Sequence, residues 1–288
     1  MTGEETMRSL TRAAVLAVAV PSALVGLAAP GAASAAPAPS PGARVAMPVV
    51  GPGSEIGVVQ ERRADGRVRA SDCTVGFVAE RPDGRRVAVT AGHCGRRGQL
   101  VGAPTPGRAG ALRQVGVVSQ SSNPPENDFT SPDWAVVDLL PSVPTVSTRG
   151  PVRQSVVGDA RVGDRVCQQG ISSGWRCGVV RAVTPNRILT DIKSRPGDSG
   201  GPLTRLSDGA AVGIATEATD DRVPATRQAT MYVSLRDVLA RAGGGLRLAT
   251  TNKGGARVDP RRPVAAQEIA VFTSEPAVMR TAPTTVVN

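Results

Sequence analysis

Two short segments of the chain carry residue types that together make nucleophilic chemistry possible. One reads Pro-Gly-Asp-Ser-Gly-Gly-Pro-Leu over residues 196–203, and the other reads Thr-Ala-Gly-His-Cys over residues 90–94. A serine hydroxyl is a weak nucleophile at neutral pH and needs a base to take its proton, and histidine alone has an ordinary pKa close to neutral. Because His93 is the only histidine of the 288 residues, serine chemistry in this chain must pair Ser199 with His93.

The glycines around Ser199 indicate a place where negative charge can develop. Stabilising a tetrahedral oxyanion takes two backbone N–H groups that converge on one point. Glycine permits the backbone conformations that this requires, and it keeps side chains out of the way. We expect the two donors to be the N–H groups of Gly197 and Ser199. A glycine-rich β-turn without function explains the segment less well, because the histidine segment accompanies it.

The composition favours a globular protein with an aliphatic core. Hydrophobic residues make up 40% of the chain and aromatic residues only 2%, so the core must consist mainly of Val, Leu, Ile and Ala. The net charge of +10 favours acidic partners or anionic surfaces, although base composition of the genome and a solvated surface explain it more simply. Basic and aromatic residues do not alternate, so no nucleic-acid partner is expected.

The N-terminus has the features of a secretion signal. Arg8 and Arg12 precede the apolar run 13–29, and Ala-Ser-Ala at residues 33–35 fits the small-residue pattern of a signal peptidase site. We expect residues 1–35 to be a signal peptide, with an uncleaved membrane anchor as the alternative. No other apolar run approaches the ~20 residues needed to span a bilayer. The mature protein is therefore predicted to be extracellular or located at the cell envelope.

Four cysteines in an exported chain favour two disulfides. Four thiols allow three pairings, and the two local ones join Cys73 to Cys94 and Cys167 to Cys177. A zinc site is the alternative, but the chain lacks a Cys-x-x-Cys pair and has a single histidine. No metal ion or organic cofactor is expected.

The spacing of strand-like runs predicts an all-β fold. Short apolar runs separated by glycine and proline turns are typical of barrels or sandwiches rather than of a parallel sheet with crossover helices. One helix is predicted over residues 235–242, with Ser234 as its N-cap and Gly243 at its end. Residues 36–54 read as a flexible lead-in or short pro-segment, and residues 251–288 as a disordered tail.

Four segments resemble the chymotrypsin-fold serine proteases, in particular the secreted bacterial branch that contains the streptogrisins and α-lytic protease. They are Cys73-Thr-Val-Gly-Phe77, the histidine segment 90–94, the cysteine hairpin 167–178 and the serine segment 196–203. The resemblance spans about residues 55–250. It implies two six-stranded antiparallel β-barrels, at about 55–140 and 152–250, with the active site in the cleft between them.

The resemblance also implies a third catalytic residue. An aspartate must hold the other nitrogen of the imidazole, and the candidates between the two barrels are Asp128, Asp133 and Asp138. The family pattern is Asp, any residue, Ala and two apolar residues, which Asp133-Trp-Ala-Val-Val fits. Asp138 is the second choice, because only two leucines follow it before Pro141.

The chain departs from the family pattern beside the serine. Asp198 precedes the nucleophile, where bacterial relatives often pair it with an arginine next to the first hairpin cysteine, but Gln168 takes that place. Since a buried carboxylate without partners is costly, we expect a cluster of donors around Asp198, or else a less ordered oxyanion loop.

The substrate pocket departs from the family pattern as well. By position, Lys193 stands at the pocket base, and Thr216, Glu217 and Ala218 form its wall. A lysine does not favour a trypsin-like preference. Glu217 could narrow the cleft or bind a basic group, so the sequence does not select one substrate side chain.

These observations predict a monomeric, secreted serine endopeptidase that acts on proteins or peptides. The alternatives are a protease-fold binding domain, weak or inactive in catalysis, for an acidic or cell-envelope partner, and an acyl hydrolase on the same scaffold. An intact set of catalytic residues argues against the binding domain.

Overall fold

The computed structural model describes residues 46–125, 128, 130–219, 224, 227–256 and 267–281. The predicted signal peptide at residues 1–35 lies outside the described residues. Among the described residues are eighteen strands, one α-helix and one 3-10 turn. In chain order the strands are β1 (Glu55–Arg62), β2 (Val68–Thr74), β3 (Phe77–Glu80), β4 (Arg86–Thr90), β5 (Leu100–Pro104), β6 (Ala111–Ser122), β7 (Trp134–Leu139), β8 (Thr148–Arg149), β9 (Val152–Arg153), β10 (Arg165–Gly170), β11 (Gly174–Val183), β12 (Arg187–Thr190), β13 (Pro202–Arg205), β14 (Ala211–Ala218), β15 (Thr230–Ser234), β16 (Arg247–Leu248), β17 (Glu268–Pro276) and β18 (Arg280–Thr281).

The N-terminal half forms the first of the two predicted barrels. Antiparallel pairs connect β1–β2, β3–β4, β4–β7, β7–β6, β6–β5 and β5–β1. The ring closes when β2 and β3 are taken as one strand that is interrupted at Val75 and Gly76. Valine and alanine side chains fill its interior, as the low aromatic content predicts.

The C-terminal half forms the second barrel. Its six strands pair in the order β13–β10–β11–β12–β15–β14, and β13 also pairs with β14, so the ring is closed and antiparallel throughout. Ile188, Leu203 and Tyr232 lie fully or almost fully buried in its core. The predicted all-β fold with two antiparallel barrels is therefore confirmed.

Helix α1 (Leu235–Arg241) follows β15 and packs Leu235 and Val238 into the core. It ends one residue earlier than predicted. Ser234 occupies the N-cap position, but its side chain makes no capping hydrogen bond. Within the described ranges, no helix has the length and apolar character that crossing a membrane requires.

The prediction of a disordered tail is wrong for residues 267–281. Strand β17 lies between β2 and β6 in the first sheet, parallel to β2 and antiparallel to β6. Strand β18 pairs in parallel with β14 of the second barrel. Ile269 is buried against Val68, Ala70 and Leu112, and this apolar contact explains why the segment docks. Residues 257–266 and 282–288 lie outside the described residues.

The lead-in that was predicted to be flexible is partly ordered. Residues 36–45 lie outside the described residues, but Val50 is fully buried. Its backbone N–H donates to the Pro144 carbonyl at 3.0 Å, and its carbonyl accepts from the Val146 N–H at 3.0 Å. Residues 46–54 therefore pack against the segment that connects the two barrels.

Both local disulfides, Cys73–Cys94 and Cys167–Cys177, are present in the structure. The first disulfide joins the end of β2 to the turn that carries His93. The second links paired positions of β10 and β11. Each disulfide thus fixes a segment that the sequence marked as close to the chemistry.

Candidate active site

His93 lies on the 3-10 turn Gly92–Cys94, directly after β4. Gly92 makes a close approach possible at this point. A Cβ atom at Gly92 would lie 2.0 Å from the Ser122 carbonyl oxygen and 2.7 Å from Asp133 Oδ1. Only glycine therefore allows this turn to pack against the aspartate.

The imidazole of His93 contacts a carboxylate on one side and a hydroxyl on the other. Its Nδ1 lies 2.6 Å from Asp133 Oδ2, and its Nε2 lies 2.8 Å from Ser199 Oγ. The backbone N–H of His93 also donates to Asp133 Oδ1 at 2.9 Å. Asp133 and Ser199 are fully buried, so all three side chains are held in a largely water-excluded contact.

Of the three candidate aspartates, only Asp133 contacts the imidazole. Asp133 precedes β7, so the apolar strand packs into the barrel while the carboxylate lies at its rim. Asp138 lies at the other end of β7, where Arg81 donates to it at 2.6 Å. Asp128 accepts hydrogen bonds from Thr130 and Ser131 in its own loop.

The serine loop is attached to both barrels. The Thr74 N–H donates to the Ser199 carbonyl, and the Thr74 hydroxyl donates to the Gly197 carbonyl, each at 2.8 Å. On the other side, the Gly200 N–H donates to the Ala215 carbonyl at 2.7 Å. Thr74 therefore connects the first barrel to the nucleophile loop. The only sign of this contact in the sequence was that Thr74 follows Cys73.

Gly197 has a backbone conformation that favours glycine, with φ at +94°. This conformation directs its N–H towards the residues of the C-terminal segment. The N–H donates to the Ala277 carbonyl at 2.9 Å. The Gly197 N–H, one of the two expected oxyanion donors, is thus already bonded to a backbone carbonyl oxygen.

Asp198 is fully buried and accepts three backbone hydrogen bonds. Its Oδ1 accepts from the N–H groups of Ser172 and Ser173 at 3.0 and 2.9 Å, and its Oδ2 accepts from the Arg195 N–H at 2.8 Å. The expected donor cluster is therefore present. It consists of backbone N–H groups rather than of the arginine that the family resemblance implied.

Gln168, which stands where that arginine would be, is turned into the second barrel. It is fully buried, and its Oε1 accepts hydrogen bonds from the hydroxyls of Ser194 and Tyr232. Burial raises the pKa of Tyr232 well above its ordinary value, so the phenol stays a neutral donor. Gln168 therefore holds the side chains of Ser194 and Tyr232, and it does not bind Asp198.

The structure places the four predicted pocket residues differently from one another. Lys193 is exposed, so it does not form a buried pocket base. Thr216 is buried and donates to the Met231 carbonyl at 3.2 Å. Ala218 lines a cavity of about 210 Å³, which Ser194, Thr219, Val278 and Met279 also line. The cavity wall thus includes residues from the predicted tail.

Glu217 is fully buried and forms ion pairs with two arginines. Its Oε1 accepts from Arg187 Nη1 at 2.7 Å and lies 3.6 Å from Arg280 Nη1. Glu217 therefore binds basic groups, as expected, but both groups are arginines of the chain itself. The sequence analysis did not identify Arg280 as a site residue. The available sign that the tail docks was the mainly apolar run of residues 269–273.

Two closed antiparallel barrels, with a histidine that contacts both a serine and an aspartate, are the features of the chymotrypsin-fold class. The chain belongs to the trypsin family, because the family model described as Trypsin matches residues 83–239, more than half of its length. The matched range includes His93, Asp133 and Ser199.

One of the curated proteins that the chain resembles is a streptogrisin. The chain is 29% identical over 202 residues to Streptogrisin-C of Streptomyces griseus, which covers 65% of this chain and 40% of that protein. The chain thus spans less than half of the length of this relative.

Solved structures with the same fold include two bacterial proteases. The Nocardiopsis protease NAPase matches with a TM-score of 0.53 at 24% identity, and Thermobifida fusca Protease A matches with a TM-score of 0.53 at 22% identity. Each match covers 70% of this chain and 100% of the other chain. At these identities, the likeness shows the fold alone.

Proposed function

We propose that the protein is a secreted serine endopeptidase that hydrolyses peptide bonds with Ser199 as nucleophile, His93 as base and Asp133 as its orienting partner. One observation carries the proposal: a single imidazole lies 2.6 Å from a buried carboxylate and 2.8 Å from a buried hydroxyl. Membership of the trypsin family supports proteins or peptides as the substrates.

The reaction follows from these contacts. Ser199 Oγ attacks the peptide carbonyl carbon while His93 Nε2 takes the hydroxyl proton. The carbonyl oxygen becomes negative and accepts hydrogen bonds from the Ser199 N–H and from the Gly197 N–H, which must first leave the Ala277 carbonyl. When the tetrahedral intermediate collapses, His93 returns the proton to the leaving amine and an acyl ester remains on Ser199. Water then attacks the ester, His93 accepts its proton, and release of the carboxylic acid restores the serine hydroxyl.

Asp133 keeps the imidazole in the orientation that this cycle requires. It accepts from Nδ1 and from the backbone N–H of the same histidine, so it fixes both the ring and the turn that carries it. A buried carboxylate also stabilises the imidazolium that forms during the attack. The carboxylate of Asp198 has a separate task, because its three backbone bonds hold the loop on which Gly197 and Ser199 present their N–H groups.

Export is part of the proposal. The charged start, apolar run and small-residue site within residues 1–35 support a cleavable signal. Two disulfides support an oxidising compartment.

Labelling with diisopropyl fluorophosphate tests the proposed chemistry. The full-length mature protein should bind one equivalent at Ser199 after extended incubation, as read by intact mass and peptide mapping. Ser199→Ala should remain unlabelled, while Ser207→Ala, which removes an exposed serine outside the site, should label like the wild type. A folded wild-type protein without label would favour the alternative of a non-catalytic binding domain.

A peptide library separates the remaining enzymatic alternatives. An endopeptidase should cleave internal peptide bonds of library members, and an esterase should hydrolyse only activated esters. Mass spectrometry of the products gives the cleavage positions, and the same data give the side-chain preference of the pocket around Ser194 and Ala218.

A further inference from the structure

Residues 277–281, which we call the C-terminal strap, lie across the candidate active site. The Ala277 carbonyl accepts from the Gly197 N–H at 2.9 Å, and the Ala277 N–H donates to the Asp72 carbonyl at 2.7 Å. His93 and the strap together line a cavity of about 1050 Å³. The strap therefore touches a proposed oxyanion donor and shares a cavity with the proposed base.

The strap continues along the wall of the second barrel as strand β18. Arg280 is paired with Glu217, and Thr281 with Ala218, in a parallel register with β14. Met279 is 6% exposed and packs with the apolar core around Ala215 and Ala218. The strap thus fills an apolar recess and covers a strand edge beside the serine loop.

The guanidinium of Arg280 is held by oxygen atoms from two sides. Its Nη2 donates to the Pro125 carbonyl at 2.6 Å and to the Asp128 carbonyl at 2.7 Å. Its Nη1 lies 3.6 Å from Glu217 Oε1, and the side chain is only 5% exposed. Two carbonyl acceptors and a nearby carboxylate oxygen around one buried, planar cation make a specific site for a guanidinium.

Glu217 supplies the negative charge of this site and is only partly compensated without Arg280. Its Oε1 accepts from Arg187, while its Oε2 has no hydrogen-bond partner among the described residues. Burial raises the pKa of Glu217, although electrostatic attraction to Arg187 and Arg280 opposes that rise. A buried carboxylate that loses a cation becomes more costly, so the site favours a second cation.

We propose that Glu217 and the carbonyls of Pro125 and Asp128 form an arginine-binding subsite of the cleft, and that Arg280 fills it in cis so that the strap inhibits the enzyme. The inhibitory part of this inference rests on the proposed function. A substrate with an arginine at the corresponding position would compete with Arg280 for the same oxygens. Lysine would bind less well, because its ammonium group cannot match acceptors on several sides with a planar fork.

Hydrogen exchange of the strap and fluorophosphonate labelling of Ser199, measured on the same full-length proteins, test the proposal. Arg280→Ala should speed exchange of residues 277–281 and the rate of labelling by about tenfold or more, because hydrogen bonds to a charged group are lost. Glu217→Gln should also speed exchange of the strap. The exchange and labelling rates of Arg280→Lys should lie between those of the wild type and of Arg280→Ala. The matched control is Arg236→Ala, which removes an arginine from an exposed ion pair with Asp159 and should change neither rate.

The two readouts separate this proposal from the proposed function. Hydrogen exchange does not need catalysis. If the variants release the strap as expected but no protein is labelled at Ser199, the subsite proposal is retained and the proposed enzymatic function is rejected. Labelling that stays constant while Arg280→Ala releases the strap would overturn inhibition. A wild-type strap that exchanges as fast as a free peptide would overturn the subsite itself. Intact mass that shows cleavage after Ala277 would identify the strap as a substrate rather than an inhibitor.

A measurement on the unmodified protein covers the case in which Arg280→Ala does not fold. Added N-acetyl-arginine methylamide should compete with Arg280 and accelerate strap exchange in the wild-type protein. N-acetyl-alanine methylamide at the same concentration should have no effect, and N-acetyl-lysine methylamide should have a smaller one. Equal effects of the arginine and alanine compounds would contradict an arginine-binding subsite.

Discussion

The two barrels accept strands from the C-terminus in different ways. The second barrel closes through antiparallel pairs among its own six strands. The first barrel also has a closed ring, but its strands β2 and β6 diverge and accept β17 from the distant C-terminus between them. The first barrel supplies His93 and Asp133, whereas the second supplies Ser199.

This difference shows that one C-terminal segment has two separable tasks. Up to Pro276 it is a strand of the first sheet, with Ile269 in a buried cluster. After Pro276 it becomes the C-terminal strap and contacts the serine loop of the second barrel. Changes in β17 should therefore affect stability, and changes in the strap should affect access to the site.

The largest expected effect tests whether residues from the two barrels act as one unit. His93→Ala and Ser199→Ala should each lower kcat by about 10⁶-fold, and the double variant should lose no more than that, as seen for catalytic groups that act together. Steady-state kinetics on a cleaved peptide measures this. Multiplicative losses in the double variant would mean that the two side chains work independently.

The next effect distinguishes two aspartates at opposite ends of β7 in the first barrel. Asp133→Asn should lower kcat by about 10⁴-fold, because the amide favours the wrong histidine tautomer. Asp138→Asn, which removes a carboxylate bound to Arg81, should leave kcat nearly unchanged. The reverse result would reject the assignment of Asp133.

A pair of core truncations compares the barrels directly. Ile269→Ala in β17 and Ile188→Ala in β12 both remove buried side chains, so each should lower the free energy of unfolding by about 2–5 kcal/mol. Urea unfolding followed by circular dichroism measures the loss. Val162→Ala, at a position that is 67% exposed, is the control. An Ile269→Ala variant as stable as this control would show that β17 does not stabilise the first barrel.

The smallest expected effect concerns the nucleophile loop. Asp198→Asn replaces one acceptor oxygen by an NH₂ group that faces backbone N–H donors, so it should cost about 1–3 kcal/mol of stability and slow Ser199 labelling. Asp159→Asn removes an exposed carboxylate and should change stability much less, since solvent screens such pairs. Unchanged stability in Asp198→Asn would mean that the three N–H contacts do not hold the loop.

Local pattern predicted most of the strands and the central pair of the candidate site. The predicted apolar runs between glycine and proline turns are present, as β3 and β4 on either side of Pro82-Asp83-Gly84 illustrate. The failure over residues 267–281 has a physical reason. Strand β17 pairs with strands more than 140 residues away in the sequence, as the Ile269–Leu112 contact illustrates. A single short strand-like run does not predict such a distant pairing. The place of Lys193 at the pocket base was inferred from its position before Ser199 alone, which does not tell whether a side chain faces a pocket or solvent.

The amino-acid sequence by itself determined which residues can do the chemistry, because the chain has one imidazole and one serine in a glycine-rich loop that suits an oxyanion. Tertiary structure alone decided what surrounds them. Asp198 is satisfied by backbone N–H groups that no side-chain pattern records, and Glu217 meets Arg280 only because a distant strand brings the C-terminus across the cleft. Residue types are local properties of the chain, whereas burial and partnership depend on contacts between segments that are far apart in sequence.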